Sequence, residues 1–217
     1  MWKQLLQIWR SSSLLTQAWD ESYDALEIDR RMFNEAVRVL RESDDDVVDA
    51  EIRKLDVQVN RYERNVRRKV MTHCTLVGSS ELTPGMVLIS IVIDIERIGD
   101  YCKNILDLAS DHPQRLVVPA YEKQLKDIET GIKECFEQVV TTLRDHDEER
   151  AREMMLSYRN YVSDVCDEIV SDVVQGKTDD LRPGDASALA LYARFLKRIS
   201  AHLKNILSSV VNPFHRI

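Results

Sequence analysis

The sequence predicts an all-α protein, with two tandem three-helix units that form one elongated six-helix body. Glycine and proline, which interrupt long helices, number only 6 and 5 among 217 residues. Apolar residues recur every three or four positions along nearly the whole chain, which is the period of an amphipathic helix. The two halves of the chain also resemble each other in sequence. Together these observations favour long, packed helices over strands.

The first half is expected to hold three helices, at about 13–41, 46–77 and 84–110. Thr83 followed by Pro84 is typical of a helix start, with threonine as the N-cap and proline in the first helical position. One stripe along the first helix carries the side chains of Leu15, Trp19, Ser22, Leu26, Asp29, Phe33, Ala36 and Leu40. The segment 1–10, with Trp2 and Trp9, is expected to form a short amphipathic helix on the protein or to touch a membrane surface.

The second half is expected to hold three more helices, at about 120–144, 147–175 and 185–211. The sequence "DHPQRLVVP" interrupts the helical pattern between the halves. We therefore divide the chain into a first unit, 1–112, and a second unit, 113–217. With short loops, neighbouring helices should pack antiparallel.

The internal repeat shows which residues the fold requires. "IERIGDYCKNIL" at 95–106 aligns with "LKRISAHLKNIL" at 196–207, and the apolar stripe and the "KNIL" ending are kept. The first-half acids are not kept, since the second half has Lys197 for Glu96, Ala201 for Asp100, Ser200 for Gly99, Arg159 for Asp56 and Ser163 for Asn60. The acids are therefore not needed for the fold, which favours a functional site in the first half alone.

Glu96 and Asp100 lie four residues apart, so a helix places their negative charges on one face. An isolated pair of this kind costs roughly 0.2–0.5 kcal/mol, and Gly99 inside the helix costs about 1 kcal/mol relative to alanine. Two local rules broken within five residues often have a functional or packing reason.

The second helix carries a matching polar stripe of Asp56, Asn60 and Glu63. If this helix is the antiparallel neighbour of the third, the stripe approaches Glu96 and Asp100. Such oxygen ligands suit a hard cation such as Mg²⁺, Mn²⁺ or oxidised iron. The alternative is local ion pairing on solvated helix faces, with Asp100 reaching Lys103, Asp94 reaching Arg97 and Glu63 reaching Arg67.

Charge and hydropathy exclude some classes of function. A net charge of −7 argues against non-specific nucleic-acid binding as the main task. The longest apolar run is far shorter than the roughly 20 residues that cross a bilayer, so no transmembrane segment is expected. The scattered cysteines, without CxxC spacing, fit a reducing cytosol. A basic cluster on the second helix is either a solvated face or a contact for anionic headgroups or an acidic partner, and consists of Arg61, Arg64, Arg67, Arg68 and Lys69.

The stretch "DIERIGDYCKNI" at 94–105 resembles the signature helix of the PhoU family. "LDVQVNRYERNV" at 55–66 is similar to the helix that precedes the signature in that family. The resemblance implies a cytoplasmic, non-enzymatic regulator of phosphate uptake, with peripheral attachment to the inner membrane as an alternative location. Its implied partner is a membrane phosphate transporter or a sensor kinase. A homodimer is expected on separate grounds, because an elongated helical bundle has surplus apolar residues.

The resemblance also implies a metal site, because the acidic motifs of the family bind metal ions. Carried onto this chain, the ligands would be Glu96, Asp100 and Asp56, with Asn60 and Glu63 of second rank. The metal would be Mg, Mn, Fe or Zn. Because the second repeat has lost its acids, we expect one site and not two.

Two other interpretations remain open. A structural helical scaffold, or a regulator of a different ion transporter, fits the same helices. A carboxylate metalloenzyme fits less well, since the sequence has no Glu-x-x-His pair, no GxSxG motif and no Walker-type loop.

Overall fold

The computed structural model describes residues 13–44, 50–145, 148–157 and 161–212. Within these ranges the side chains of 50, 51, 53, 148 and 155–157 are left undescribed. The amphipathic segment predicted at 1–10 lies outside the described residues.

Three long helices form the first unit. Helix α1 spans Leu14–Val37 and continues as a five-residue π-helix, Arg38–Glu42. Helix α2 spans Ala50–Val77, and a short 3₁₀-helix, Ser79–Glu81, leads into α3, Leu82–Asp111. The prediction of three first-half helices is confirmed.

The second unit begins with a 3₁₀-helix, Pro119–Tyr121, followed by α4, Glu122–Asp145. Helices α5, Glu148–Ser157, and α6, Tyr161–Val174, cover the stretch predicted as one fifth helix. The last helix, α7, spans Pro183–Val211. The described ranges hold seven α-helices and no strand, so the all-α prediction is confirmed.

Local chemistry explains where the helices begin. The Ser13 hydroxyl caps α1 by accepting a hydrogen bond from the Thr16 backbone N–H at 3.2 Å. The predicted start of α3 is wrong by two residues, because the helix begins at Leu82 and Thr83 is not its N-cap. Pro84 still lies in the first turn, where its missing N–H leaves no helical hydrogen bond unmade.

Helices α1, α2 and α3 pack against one another, and α4, α5 and α6 each pack against α7. Helix α3 lies along α7, and α1 touches α4, so the two units share one continuous apolar core. The rings of Phe33 and Phe136, 5.5 Å apart, cross this junction. The division of the chain at residues 112 and 113 stays a prediction.

A buried ion pair also joins the units. Arg41, in the π-helix, donates to the Glu129 carboxylate of α4 at 3.0 Å and to Glu122 at 2.7 Å. The Tyr192 hydroxyl of α7 donates to the same Glu129 oxygen at 2.9 Å, and Arg41 also donates to the Leu116 carbonyl. Each buried charge therefore has partners, which is the condition under which buried ions are tolerated.

Candidate metal site

The two signature acids, Glu96 and Asp100, lie on α3 on either side of the Arg97 side chain. Glu96 and Asp100 are half-buried, and their carboxylates lie 3.6 and 3.8 Å from the guanidinium of Arg97. These distances are too long for good hydrogen bonds. Arg97, itself more than half exposed, thus offsets the repulsion between the two carboxylates only in part.

The stripe on α2 faces α3, as the sequence predicted for neighbouring helices. Lys103 of α3 reaches across to α2, with its Nζ atom 3.3 Å from Oδ2 of the buried Asp56. Asn60 donates its side-chain amide to the Asp56 carbonyl of its own helix at 3.0 Å. Glu63 accepts from Arg67 at 2.6 Å, so this part of the local-pairing alternative is confirmed.

The pKa of Glu96 shows that these acids share one electrostatic environment. Burial raises the pKa of the Glu96 carboxyl, and the charges of Asp100, Glu63 and Asp56 raise it further. Arg97 opposes them and lowers it. The structure therefore brings the predicted acids of α2 and α3 into one negative field.

The sequence analysis did not include Asp29 of α1 among the candidate site residues, although it lies close to them. Its side chain is fully buried, and neither carboxylate oxygen has a hydrogen-bond partner in the described structure. Burial raises the pKa of Asp29 well above its usual range, and Asp56, Glu96 and Asp100 raise it further. A buried carboxyl without a partner costs free energy, so it needs an explanation.

Gly99 is the reason that this carboxyl fits. A Cβ atom at position 99 would lie 2.9 Å from Oδ1 of Asp29 and 3.4 Å from the Val59 side chain. The glycine thus leaves space for a carboxyl from α1 beside the helix that carries Glu96 and Asp100. The one sequence signal was Asp29 itself, an acid on the otherwise apolar stripe of the first helix.

Asp94, which lies in the same signature, belongs to a different contact. Its Oδ1 atom lies 2.7 Å from His202 Nδ1 and accepts from Asn205 at 3.1 Å, both on α7. The local-pairing alternative is wrong for two of its pairs, because Asp94 contacts His202 instead of Arg97 and Lys103 contacts Asp56 instead of Asp100. Asp94 of α3 contacts His202 and Asn205 of α7, and Asp56 of α2 contacts Lys103 of α3, because both acids face a neighbouring helix.

The donor set suits a hard cation, but it is not assembled into a cage. Carboxylate and amide oxygens are the ligands that Mg²⁺ and Mn²⁺ prefer. Neither carboxylate oxygen of the nearby Asp29 has a hydrogen-bond partner in the described structure. Within the described ranges, no group of three or more His, Cys, Asp or Glu side chains is arranged to hold a metal ion. The five predicted ligands thus share a field without converging, and the ligand set stays a prediction.

Fold and site together define a class of protein: an all-helical chain of two packed units, with one acid-rich site between α2 and α3 of the first. Residues 23–109 match the family model of the PhoU domain. The chain therefore carries a PhoU domain in its first unit, and the PhoU identification made from the signature helix is confirmed.

A solved structure supports the fold of the whole chain. The crystal structure of PhoU from Pseudomonas aeruginosa superimposes with a TM-score of 0.76 at 21% sequence identity. The match covers 91% of this chain and 95% of that one, so the fold extends through the second unit. No curated protein matches the chain. In the described part of the chain, no helix is long and apolar enough to cross a membrane.

Proposed function

We propose that this protein is a non-enzymatic regulator of phosphate uptake and phosphate signalling. The observation that carries the proposal is the PhoU domain at 23–109, which contains the signature helix and all the candidate ligands. The family match supports a role in phosphate regulation in general. The finer proposal is that the chain acts by binding a membrane phosphate transporter on its cytoplasmic face, with a sensor kinase as a possible second partner.

The proposal includes a cation at the acid-rich site. Glu96, Asp100 and Asp56 are the proposed ligands, flanked by Asn60 and Glu63. Burial and the neighbouring negative charges raise the pKa of Glu96, which supports this assignment, since a divalent cation would remove the repulsion. Asp29, which lies beside Gly99, supports the assignment as well. Neither oxygen of its buried carboxyl has a hydrogen-bond partner in the described structure, and a cation would give them one.

The cation is tested by elemental analysis of the purified protein, with the wild type beside a Glu96→Ala, Asp100→Ala double variant. We expect stoichiometric Mg, Mn, Fe or Zn in the wild type and its loss from the variant. The matched control is Asp164→Ala, Glu168→Ala, which removes an exposed carboxylate pair of the same spacing from α6. Equal metal content in all three proteins, with unchanged circular dichroism, would disprove the site.

The regulatory role is tested in a strain that lacks the gene. Phosphate uptake and phosphate-responsive expression should both change on deletion and return with the wild-type gene. If the cation serves regulation, the Glu96→Ala, Asp100→Ala gene should restore less than the control gene does. Unchanged uptake and expression in the deletion strain would reject the phosphate role, whatever the metal content.

A further inference from the structure

The turn between α2 and α3 presents a patch of uncovered apolar side chains. Met71, Leu76 and Val77 at the end of α2 are 69%, 76% and 48% exposed, and Leu82 at the start of α3 is 49% exposed. Four of the ten large apolar side chains exposed in the described structure thus fall within twelve residues. Such clustering marks an interaction site more often than scattered exposed residues do.

Basic side chains lie next to this patch on α2. Arg64, Arg67, Arg68 and Lys69 precede Met71 by two to seven residues, and Glu81 is the one acid between 64 and 82. Arg67 pairs with Glu63 and Lys69 with Glu21. Arg64 and Arg68 are exposed and have no ion-pair partner among the described residues.

Helix α2 therefore separates its charges between two sides. Asp56 and Glu63 lie on the side that faces α3, whereas Arg64, Arg68 and Met71 follow one another at spacings of four and three residues along the outer face. This cationic face stands out on a chain whose net charge is −7. Long-range attraction to a negative surface would bring the C-terminal part of α2, which carries these arginines, toward it.

We propose that this tip, defined as Arg64, Arg68, Met71, Leu76, Val77 and Leu82, docks on an anionic lipid surface. At 1.5 Å rise per residue, Arg68 lies about 12 Å along the helix from Leu76, and Met71 about 8 Å. Apolar faces of interfacial helices enter a bilayer by about 5–10 Å. Leucine and valine at the tip then reach the acyl boundary while the arginines stay among the phosphates.

The shape of the tip favours a lipid surface over an acidic protein. The apolar side chains come from the ends of two helices joined at a turn, where Gly78 has a φ of +88°. A protein partner would need a surface complementary in shape to these side chains. A bilayer interface adapts to the end and supplies anionic phosphates beside it. The inference is independent of the proposed cation and of the phosphate role.

Vesicle co-sedimentation of the full chain tests the proposal. Vesicles of phosphatidylcholine alone are compared with vesicles of equal parts phosphatidylcholine and phosphatidylglycerol. We expect binding to the anionic vesicles alone, weakened by added salt. Arg64→Gln, Arg68→Gln should lower the affinity about 25-fold, since each basic residue near such a surface contributes about fivefold. Leu76→Ser, Val77→Ser should lower it as well.

Matched controls come from the second unit. Lys123→Gln, Lys126→Gln removes two exposed cations from α4, and Val174→Ser removes an apolar side chain that is 79% exposed at the end of α6. Both should bind vesicles as the wild type does. Equal binding to both vesicle types, no binding at all, or equal loss in test and control variants would overturn the proposal. Loss of binding on removal of residues 2–12, with the arginine variant unaffected, would also overturn it.

Discussion

Two buried carboxyls, one in each unit, are treated in opposite ways. Glu129 accepts hydrogen bonds from Arg41 and Tyr192, and these two partners offset part of the rise in its pKa that burial causes. Asp29 is more deeply buried, has no hydrogen-bond partner in the described structure, and faces other acids. The partners of Glu129 come from the folded chain itself. Asp29 has no such partner in the described structure, which is consistent with a ligand such as the proposed cation.

Removal of the partner of Glu129 should have the largest effect. Arg41→Met would leave the buried carboxylate with Tyr192 alone, and breaking a buried ion pair costs about 3–5 kcal/mol. Urea unfolding measures the loss. The double variant Arg41→Met, Glu129→Met should recover most of the stability, because it removes both charges. A single variant as stable as the wild type would show that the pair does not hold the units together.

Asp29→Asn should stabilise the protein, whereas Arg41→Met should destabilise it. A buried, unpartnered carboxylate opposes folding at neutral pH, so its neutral isostere should raise the free energy of unfolding by about 1–3 kcal/mol in the absence of divalent cations. Because the pKa of Asp29 is raised in the folded state, the folded protein holds the proton longer than the unfolded chain does. The contribution of Asp29 to stability should therefore fall as the pH rises above about 4, the pKa of an unfolded aspartate.

Urea unfolding at several pH values between 4 and 8, with a chelator present, makes this measurement. The difference between Asp29→Asn and wild type should be small at pH 4 and grow toward neutral pH. Glu129→Gln is the matched control and should destabilise, since it weakens the bond with Arg41. If Asp29→Asn destabilised the protein at pH 7 without metal, the carboxylate would have a partner within the fold.

Gly99→Ala tests the steric link between α1 and α3. The new Cβ atom meets Asp29 Oδ1 at 2.9 Å, so the carboxyl must move, and overpacking of this kind costs about 1–3 kcal/mol. The gain in helix propensity, about 1 kcal/mol, offsets part of the loss. In the background of Asp29→Ala the same change should be neutral or stabilising. Equal effects of Gly99→Ala in both backgrounds would show that the two positions are not coupled.

The sequence predicts those parts of this arrangement that depend on local pattern. Helical periodicity predicts the long helices, and the repeat predicts that the acids of the first unit are not structural. Gly99 and the Glu96–Asp100 pair break local rules, which directs attention to α3, the helix that packs beside the unpartnered Asp29. Periodicity also places Asp29 on the buried stripe of α1, but the identity of its neighbours depends on how three helices pack.

The ion pairs were less predictable for the same reason. Asp94 lies 108 positions from its partner His202, in the other unit. Lys103 has a carboxylate within reach on its own helix and another on α2, and spacing alone does not choose between them. Glu63 and Arg67 share one helix turn, and that pair was predicted correctly.

The smallest expected change in stability comes from replacing either of two lysines, Lys103 in the first unit and Lys197 in the second. Lys103 lies against Asp56 at 3.3 Å and is half exposed, and Lys197 lies against Asp167 at 2.5 Å. In each pair one side chain is half exposed or more, so water screens the attraction, and Lys103→Met and Lys197→Met should each change stability by roughly 0–1 kcal/mol. Their effects on cation binding should differ. Because the Lys103 ammonium competes for a proposed ligand, Lys103→Met should strengthen Mn²⁺ binding in a calorimetric titration, whereas Lys197→Met should leave it unchanged. A Lys103 variant that binds Mn²⁺ no better than wild type would remove Asp56 from the ligand set, and the cation would then depend on Glu96 and Asp100 alone.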